Sequence, residues 1–275
     1  MDAERQRVGR AFHRGALEYD QHTPLQQRVV SRLCERLAQQ LQQPPQQVLD
    51  VGCGTGQLLQ QLAQQYAQAS LTGIDLAPNM LQMAAGRLGG RAVLVQGDAE
   101  QLPFSDGSFD LVVSSSTFQW LEQCDTCFSE VHRVLRGEGR FCFALFGAGT
   151  LHELQWSWQE ALSRAGRSPV GDHDGTHRFH TQEEVCRSLE RQGFDEREVV
   201  CQREILWYPD VAHLLQSIKR IGAGTARPQG GGGLGWRRIL HEMAAIYTER
   251  FGTGKGVPAS YQVIYGSGRV CSGRE

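Results

Sequence analysis

Charge of one sign is what this chain has least of. Its 28 Lys and Arg stand against 30 Asp and Glu, a formal net charge of -2. A protein that grips a phosphate backbone needs a clear basic excess, so this balance argues against a nucleic-acid partner. Long hydrophobic runs are missing too. No apolar stretch approaches the roughly 20 residues that a helix needs to cross a bilayer, which argues against a membrane role. The start, MDAERQRVGR, is polar and lacks the apolar stretch of a secretion signal, so the cytoplasm is the expected location. Paired cysteine clusters are also lacking: the eight cysteines, at 34, 53, 124, 127, 142, 186, 201 and 271, are scattered. Cys124 and Cys127 make one C-x-x-C with His132 nearby and no second pair, so reduced, partly buried thiols at a helix start are expected there, and no metal site. No internal repeat is visible.

What is present begins with Val48 to Gly56, VLDVGCGTG. Val48, Leu49 and Val51 read as a short strand covered on both faces. Gly52, Gly54 and Gly56 permit a tight turn whose missing Cβ atoms let backbone approach a ligand closely. A helix is expected at once over Gln57 to Gln68, with Leu58, Leu59, Leu62 and Tyr66 on one face. A dinucleotide fingerprint, G-x-G-x-x-G, would place its third glycine where Gln57 stands; here the glycine falls one residue early.

The spacing resembles motif I of the class I S-adenosylmethionine-dependent methyltransferases, D-x-G-x-G-x-G, with Asp50 in the acidic position. Downstream, Ser70 to Asp75 (SLTGID) reads as a second strand ending in an acid, where a ribose diol is held. The run GIDLAPNML, carrying Leu76 and Met80, is similar to motif II of that class. VLVQGDAEQLP, Val93 to Pro103, supplies a third match in which Asp98 and Ala99 close a third strand. The resemblance implies that Gly52, Cys53, Gly54 and Gly56 approach the methionine part of the donor, Asp75 and Leu76 hold the ribose, and Met80 packs near the adenine. Asp98 and Ala99 then read the adenine edge, and Ser114 and Ser115 end strand four beside the methyl. A single glycine turn is often only a tight turn, and a lone acid only a cap; three motifs in order, each at a strand's carboxyl end, point to the donor, S-adenosyl-L-methionine.

The remaining chain keeps the alternation of a doubly wound sheet. Strands are expected at Phe109 to Ser116, Gly139 to Phe146, Glu196 to Trp207 and Ser260 to Val270, with helices at Cys127 to Arg136, Thr181 to Gln192 and Asp210 to Ile221. Gly222 to Gly235 reads as a mobile loop, and the tail after Val270 as frayed. The fold class is α/β, a Rossmann-like seven-stranded, mostly parallel sheet with a helical N-terminal lid and cap insertions. At 275 residues, 40% of them hydrophobic, one domain can bury a full core. Its expected parts are a lid over 1–43, a donor-binding core over 47–146, an acceptor lid and cap over 147–258 that also holds a core helix and strand, and the last strand over 259–270.

Outside the core, AFHRGALEYDQHTPLQ (Ala11 to Gln26), STFQWL (Ser116 to Leu121), FGAGTLHEL (Phe146 to Leu154), SIKRIGAGT (Ser217 to Thr225) and VPASYQVIYG (Val257 to Gly266) resemble the malonyl-acyl-carrier-protein O-methyltransferases of biotin synthesis. The resemblance covers nearly the whole chain. It implies methylation of the free carboxylate of a malonyl thioester, on acyl-carrier protein or coenzyme A. A carboxylate with a pKa of roughly 4 is already ionised at neutral pH, so no general base is needed; alignment and exclusion of water supply the acceleration.

Acceptor-side candidates follow from the resemblance and from chemistry. Arg178, in THRFHTQEE, has the planar fork that grips a carboxylate, or it is an exposed arginine of the lid's surface. Tyr19 and His22 resemble lid residues that fold over the donor; packing against the core is the other reading. Phe118 and Trp120 wall the methyl-transfer site or pack in the core, while Trp156 and Trp158 pack the lid. Lys219 and Arg220, with Arg227, Arg237 and Arg238, make a basic surface suited to an acidic carrier protein, or only a solvated face. Two other functions stay open: a methyltransferase of another small acceptor, such as a quinone precursor or free dicarboxylic acid, and a non-catalytic protein that retains the fold.

Overall fold

Four strands of five to seven residues and three of thirteen or fourteen assemble into one seven-stranded sheet of order β3-β2-β1-β4-β5-β7-β6. The protein is described from a computed structural model over residues 24–167, 178–220 and 234–271. Tyr19, His22, Arg227, the greater part of the expected N-terminal lid and most of the Gly222 to Gly235 loop lie outside the described residues. The strands are β1 (Gln47–Val51), β2 (Ser70–Asp75), β3 (Ala92–Gln96), β4 (Phe109–Ser115), β5 (Leu135–Gly147), β6 (Asp195–Tyr208) and β7 (Val257–Arg269). The five strands from β3 to β5 pair in parallel, and β7 runs antiparallel to both β5 and β6. The seven-stranded, mostly parallel sheet expected from the sequence is the one observed.

Eight helices are described: α1 (Pro24–Gln40), α2 (Gln57–Gln65), α3 (Pro78–Leu88), α4 (Asp125–Val134), α5 (His152–Arg164), α6 (Gln182–Arg191), α7 (Val211–Arg220) and α8 (Leu234–Phe251). Side chains alternate across the pleat, so each inner strand feeds two cores. Val48, Leu111, Val113 and Ala144 face α1, α2, α5, α7 and α8, whereas Leu49, Val51, Val112 and Phe143 face α4 and α6.

Several boundaries depart from the expected ones. β5 begins at Leu135, directly after α4, four residues before the expected start at Gly139, and its pairing with β4 has an irregular register between Phe109 and Leu111. Residues 24–40, expected within a lid, are a core helix. Leu25, Val29, Val30, Leu33, Cys34 and Leu37 form its buried stripe at helical spacing. One flank of that stripe carries Arg28 and Arg32 against Glu204 at 3.4 and 3.6 Å, and Arg36 against Glu198 at 3.3 Å, so α1 also grips the edge strand β6. α6 starts where expected, on a capping box: the Glu184 amide donates to Thr181 Oγ1 at 3.1 Å, and the Thr181 amide donates to Glu184 Oε2 at 2.9 Å. Among the described residues no helix is long and apolar enough to cross a membrane.

Candidate functional site: a carboxylate-lined cavity at the switch point

After β3 the chain returns to the middle of the sheet, so β1 and β4 leave in opposite directions and open a crevice at their carboxyl ends, where open α/β sheets bind ligands. A cavity sits there. Its wall includes Gly52, Cys53 and Gly54 from the turn after β1, Asp75, Leu76 and Met80 around the end of β2, and Asp98 and Ala99 after β3. Ser115, Ser116, Thr117, Trp120 and Leu121 follow β4, and Gln26 and Val30 of α1 close one side.

The turn is shaped by backbone constraints. Gly52, Gly54 and Gly56 all have positive φ, at 71°, 53° and 81°. The Gly52 and Cys53 amides donate to the Ile74 carbonyl at 2.8 and 3.0 Å, binding the turn to the end of β2. A Cβ on Gly52 would collide with the Thr117 side chain, whereas one on Gly54 would meet no protein atom within 4 Å, leaving open space on the cavity wall. Gly56 has a different place: a Cβ there would stand 3.1 Å from the Ala84 Cβ of α3. The third glycine therefore lets α2 and α3 pack and does not line the cavity. Arg87, which sequence reasoning missed, clamps the turn by donating to the Thr55 carbonyl and hydroxyl, each at 3.0 Å.

Asp75 organises the floor. Its two oxygens accept from the Gly54 amide at 2.9 Å and the Ala77 amide at 2.8 Å. Burial pushes its pKa up, and the amides of Ala77, Gly54 and Leu76 oppose that rise. Asp50, also unassigned beyond its place in the motif, is 1% exposed, and neither of its oxygens has a hydrogen-bond partner. Burial first, and the Asp75 charge second, hold its carboxyl well above the usual range. The same burial, with Asp50 and Asp75 beside it, raises the Cys53 thiol and keeps it neutral. Asp98 closes a turn by accepting from the Glu100 amide at 3.0 Å. Three acids thus line the cavity, and no Lys, Arg or His does so among the described residues. Such a wall attracts a cation and includes one buried carboxyl whose two oxygens have no partner in the protein.

Other sequence-derived candidates lie elsewhere. Ser114 is behind the wall, its hydroxyl donating to the Val51 carbonyl at 2.7 Å. Phe118 is 0% exposed and packs edge-on against Phe128, Phe141 and Phe143 at ring separations of 5.4, 5.8 and 5.7 Å, so the 3-10 turn over Phe118–Trp120 that follows β4 sends it into the core while Trp120 reaches the cavity. Phe118→Ala is expected to cost about 3–5 kcal/mol in a denaturant unfolding experiment, the range for emptying a buried aromatic site. Arg178 is 84% exposed at its side chain and bonds Glu184 of the capping box at 2.6 Å, away from the cavity. Two residues on, His180 is bonded to the cavity rim: its ring nitrogen lies 2.9 Å from the Leu121 carbonyl, and its own carbonyl accepts from Ala148 at 2.8 Å. Lys219 is exposed on α7. Cys124 and Cys127 are buried free thiols at the start of α4, and no metal-holding group of His, Cys, Asp or Glu occurs among the described residues.

Comparison with known proteins agrees with this geometry. Residues 49–143 match a family model described as a methyltransferase domain. A malonyl-[acyl-carrier protein] O-methyltransferase of Geobacter sulfurreducens is 46% identical over 97% of this chain and 99% of that protein. Another, from Halorhodospira halophila, is 35% identical over 96% of this chain and 87% of its own length. Among solved structures, phosphoethanolamine N-methyltransferase 2 of Haemonchus contortus, in complex with S-adenosyl-L-methionine, aligns with TM-score 0.54 at 20% identity, covering 88% of this chain and 53% of that one; this likeness is one of fold. With nearly the full length aligned at 46% identity, the chain belongs to the malonyl-[acyl-carrier protein] O-methyltransferase family and is an S-adenosylmethionine-dependent methyltransferase.

Proposed function

We propose that the protein transfers the methyl group of S-adenosyl-L-methionine to the free carboxylate of a malonyl thioester carried on acyl-carrier protein, giving the methyl ester used in biotin synthesis. The observation that carries the donor half is the cavity of three carboxyl groups without a described cation, matched to a ligand that bears a sulfonium and an α-ammonium. Gly52, Cys53 and Gly54 border the methionine part, and Asp50 takes the ammonium. Asp75 and Leu76 hold the ribose, Met80 packs on the adenine, and Asp98 with Ala99 meets its edge. Ser115 lies beside the methyl. The acceptor half rests on full-length similarity to proteins of that name. The acceptor oxygen is ionised at neutral pH, so the protein's work is alignment and desolvation. Exposed Lys219, Arg237 and Arg238 supply rim charge for an acidic carrier.

Mass spectrometry of malonyl carrier protein incubated with enzyme and S-adenosylmethionine tests the reading, with acetyl carrier protein and malonyl coenzyme A alongside. One added methyl group on the malonyl form and none on the acetyl form is the expected result. Absence of methylation on every malonyl thioester overturns the acceptor assignment and leaves the donor site standing.

A further inference from the structure

Four consecutive hydroxyl residues, Ser114 to Thr117, span the end of β4, and they divide into two kinds. Ser114 donates to the Val51 carbonyl, and Thr117 Oγ1 to the carbonyls of Gly52 at 3.2 Å and Ser115 at 3.3 Å, so both serve the protein's own backbone. Ser115 and Ser116 line the cavity, and their buried hydroxyls have no hydrogen-bond partner. Ser116 is further set apart by its backbone. Its φ is 59°, in the left-handed region that L side chains rarely adopt. The conformation is pinned from both sides: the Ser116 amide donates to the Ala144 carbonyl at 2.8 Å, and its carbonyl accepts from the amide nitrogen of Gln119, a side chain 3% exposed, at 2.6 Å. Strained, over-determined backbone that presents an unsatisfied hydroxyl to a cavity is a functional arrangement.

The order of the sheet says which ligand that hydroxyl meets. The function proposed above puts adenine, ribose and methionine at the ends of β3, β2 and β1 in turn, and the next strand in the sheet is β4. The reacting methyl then points toward the end of β4, and the group beyond it is the acceptor. We propose that Ser116 is an acceptor-contacting residue whose hydroxyl donates to the non-attacking oxygen of the substrate carboxylate; this rests on the function proposed above. In the step, a lone pair of the other carboxylate oxygen forms the O–CH3 bond while the C–S bond breaks and its electron pair returns to sulfur. A sulfonium and a carboxylate become a neutral thioether and a neutral ester, and no proton moves. A hydroxyl suits this chemistry. It orients one oxygen without tying up both, as a guanidinium fork would, and the sulfonium itself supplies the attraction for the anion.

The test compares Ser116→Ala, which removes the hydroxyl and keeps the strain, with Ser116→Gly, which removes both. Steady-state kinetics with malonyl carrier protein, titration with S-adenosylhomocysteine and thermal melts are read on each. Both variants are expected to lose roughly ten- to hundredfold in kcat/KM for the malonyl acceptor while binding S-adenosylhomocysteine within about twofold of the native protein. Ser116→Gly is expected to melt a few degrees above Ser116→Ala, so that the more stable variant is still impaired. Native kcat/KM in Ser116→Gly, or a loss of donor affinity as large as the loss of kcat/KM, overturns the assignment of Ser116 alone. A native protein that methylates no malonyl thioester removes the function reading and this inference together.

Discussion

Asp50→Asn is expected to make the ligand-free protein more stable and the donor complex much weaker. The Asp50 carboxyl is fully enclosed, without a hydrogen-bond partner, and burial holds its pKa well above the usual range. A carboxyl whose pKa is higher folded than unfolded contributes stability that is complete below the unfolded value, about 4, and is lost as the pH rises toward the folded value. In that window the native protein loses about 1.4 kcal/mol for each pH unit on account of this group. Asparagine cannot ionise, so its advantage in a thermal melt is expected to be smallest at acid pH, near the unfolded value, and to widen as the pH rises above it. Binding reverses the preference. An ammonium against Asp50 favours the ionised carboxyl, so the native protein releases a proton when it binds S-adenosylhomocysteine, and its affinity rises with pH. Asparagine retains an acceptor oxygen and loses the charge, which is expected to weaken binding about a hundredfold. Calorimetry in two buffers of different ionisation enthalpy reads affinity and proton release together. Equal affinity, with parallel stability profiles for the two proteins, would remove Asp50 from the ligand.

The second large effect concerns Asp75, and here stability and binding fall together. Its two oxygens hold the amides of Gly54 and Ala77, so Asp75→Ala strips two partly buried donors of their acceptor and loosens the glycine turn from the end of β2. Leaving a buried donor unsatisfied costs about 1–3 kcal/mol. The proposed ribose contact is lost as well. A fall of more than about a hundredfold in S-adenosylhomocysteine affinity is expected, together with a lower melting temperature. Asp75→Asn keeps one acceptor oxygen and is expected to fall between the two in both measurements. If Asp75→Ala titrates like the native protein, the carboxylate does not touch the donor.

These contrasts show what could be read from residue order. The β1 turn was legible because close backbone approach demands glycine, and Gly52 and Gly54 indeed border the cavity. The same spacing could not tell a missing Cβ that faces a ligand from one that faces a helix, so Gly56, packed on α3, was given the wrong neighbour. Phe118 and Trp120 are two residues apart with the same apparent claim on the site, and only the geometry after β4 sends one inward and the other to the cavity. Arg178 has the right chemistry for a carboxylate, yet the capping box of α6 offers Glu184 within reach and holds it outside. Asp50 was seen as a motif letter; that its oxygens lack partners is a property of packing. The cap was least legible. α8 follows a glycine-rich run, and nothing local marks where that run gives way to helix.

The arginine stripe on α1 has a consequence for behaviour at high concentration. β6 is a fourteen-residue strand at one edge of the sheet, with no further strand beside it among the described residues, and it is long enough to template pairing with another chain. Glu198 and Glu204 lie on it, and Arg28, Arg32 and Arg36 hold them from the side. An incoming strand meets a row of paired charges that it would have to strip of water and partners. Each pair adds little to folding, yet charges along an edge strand are the kind of gatekeeper that disfavours edge-to-edge pairing, so neutralising Glu198 and Glu204 together is expected to raise the concentration-dependent association read by light scattering.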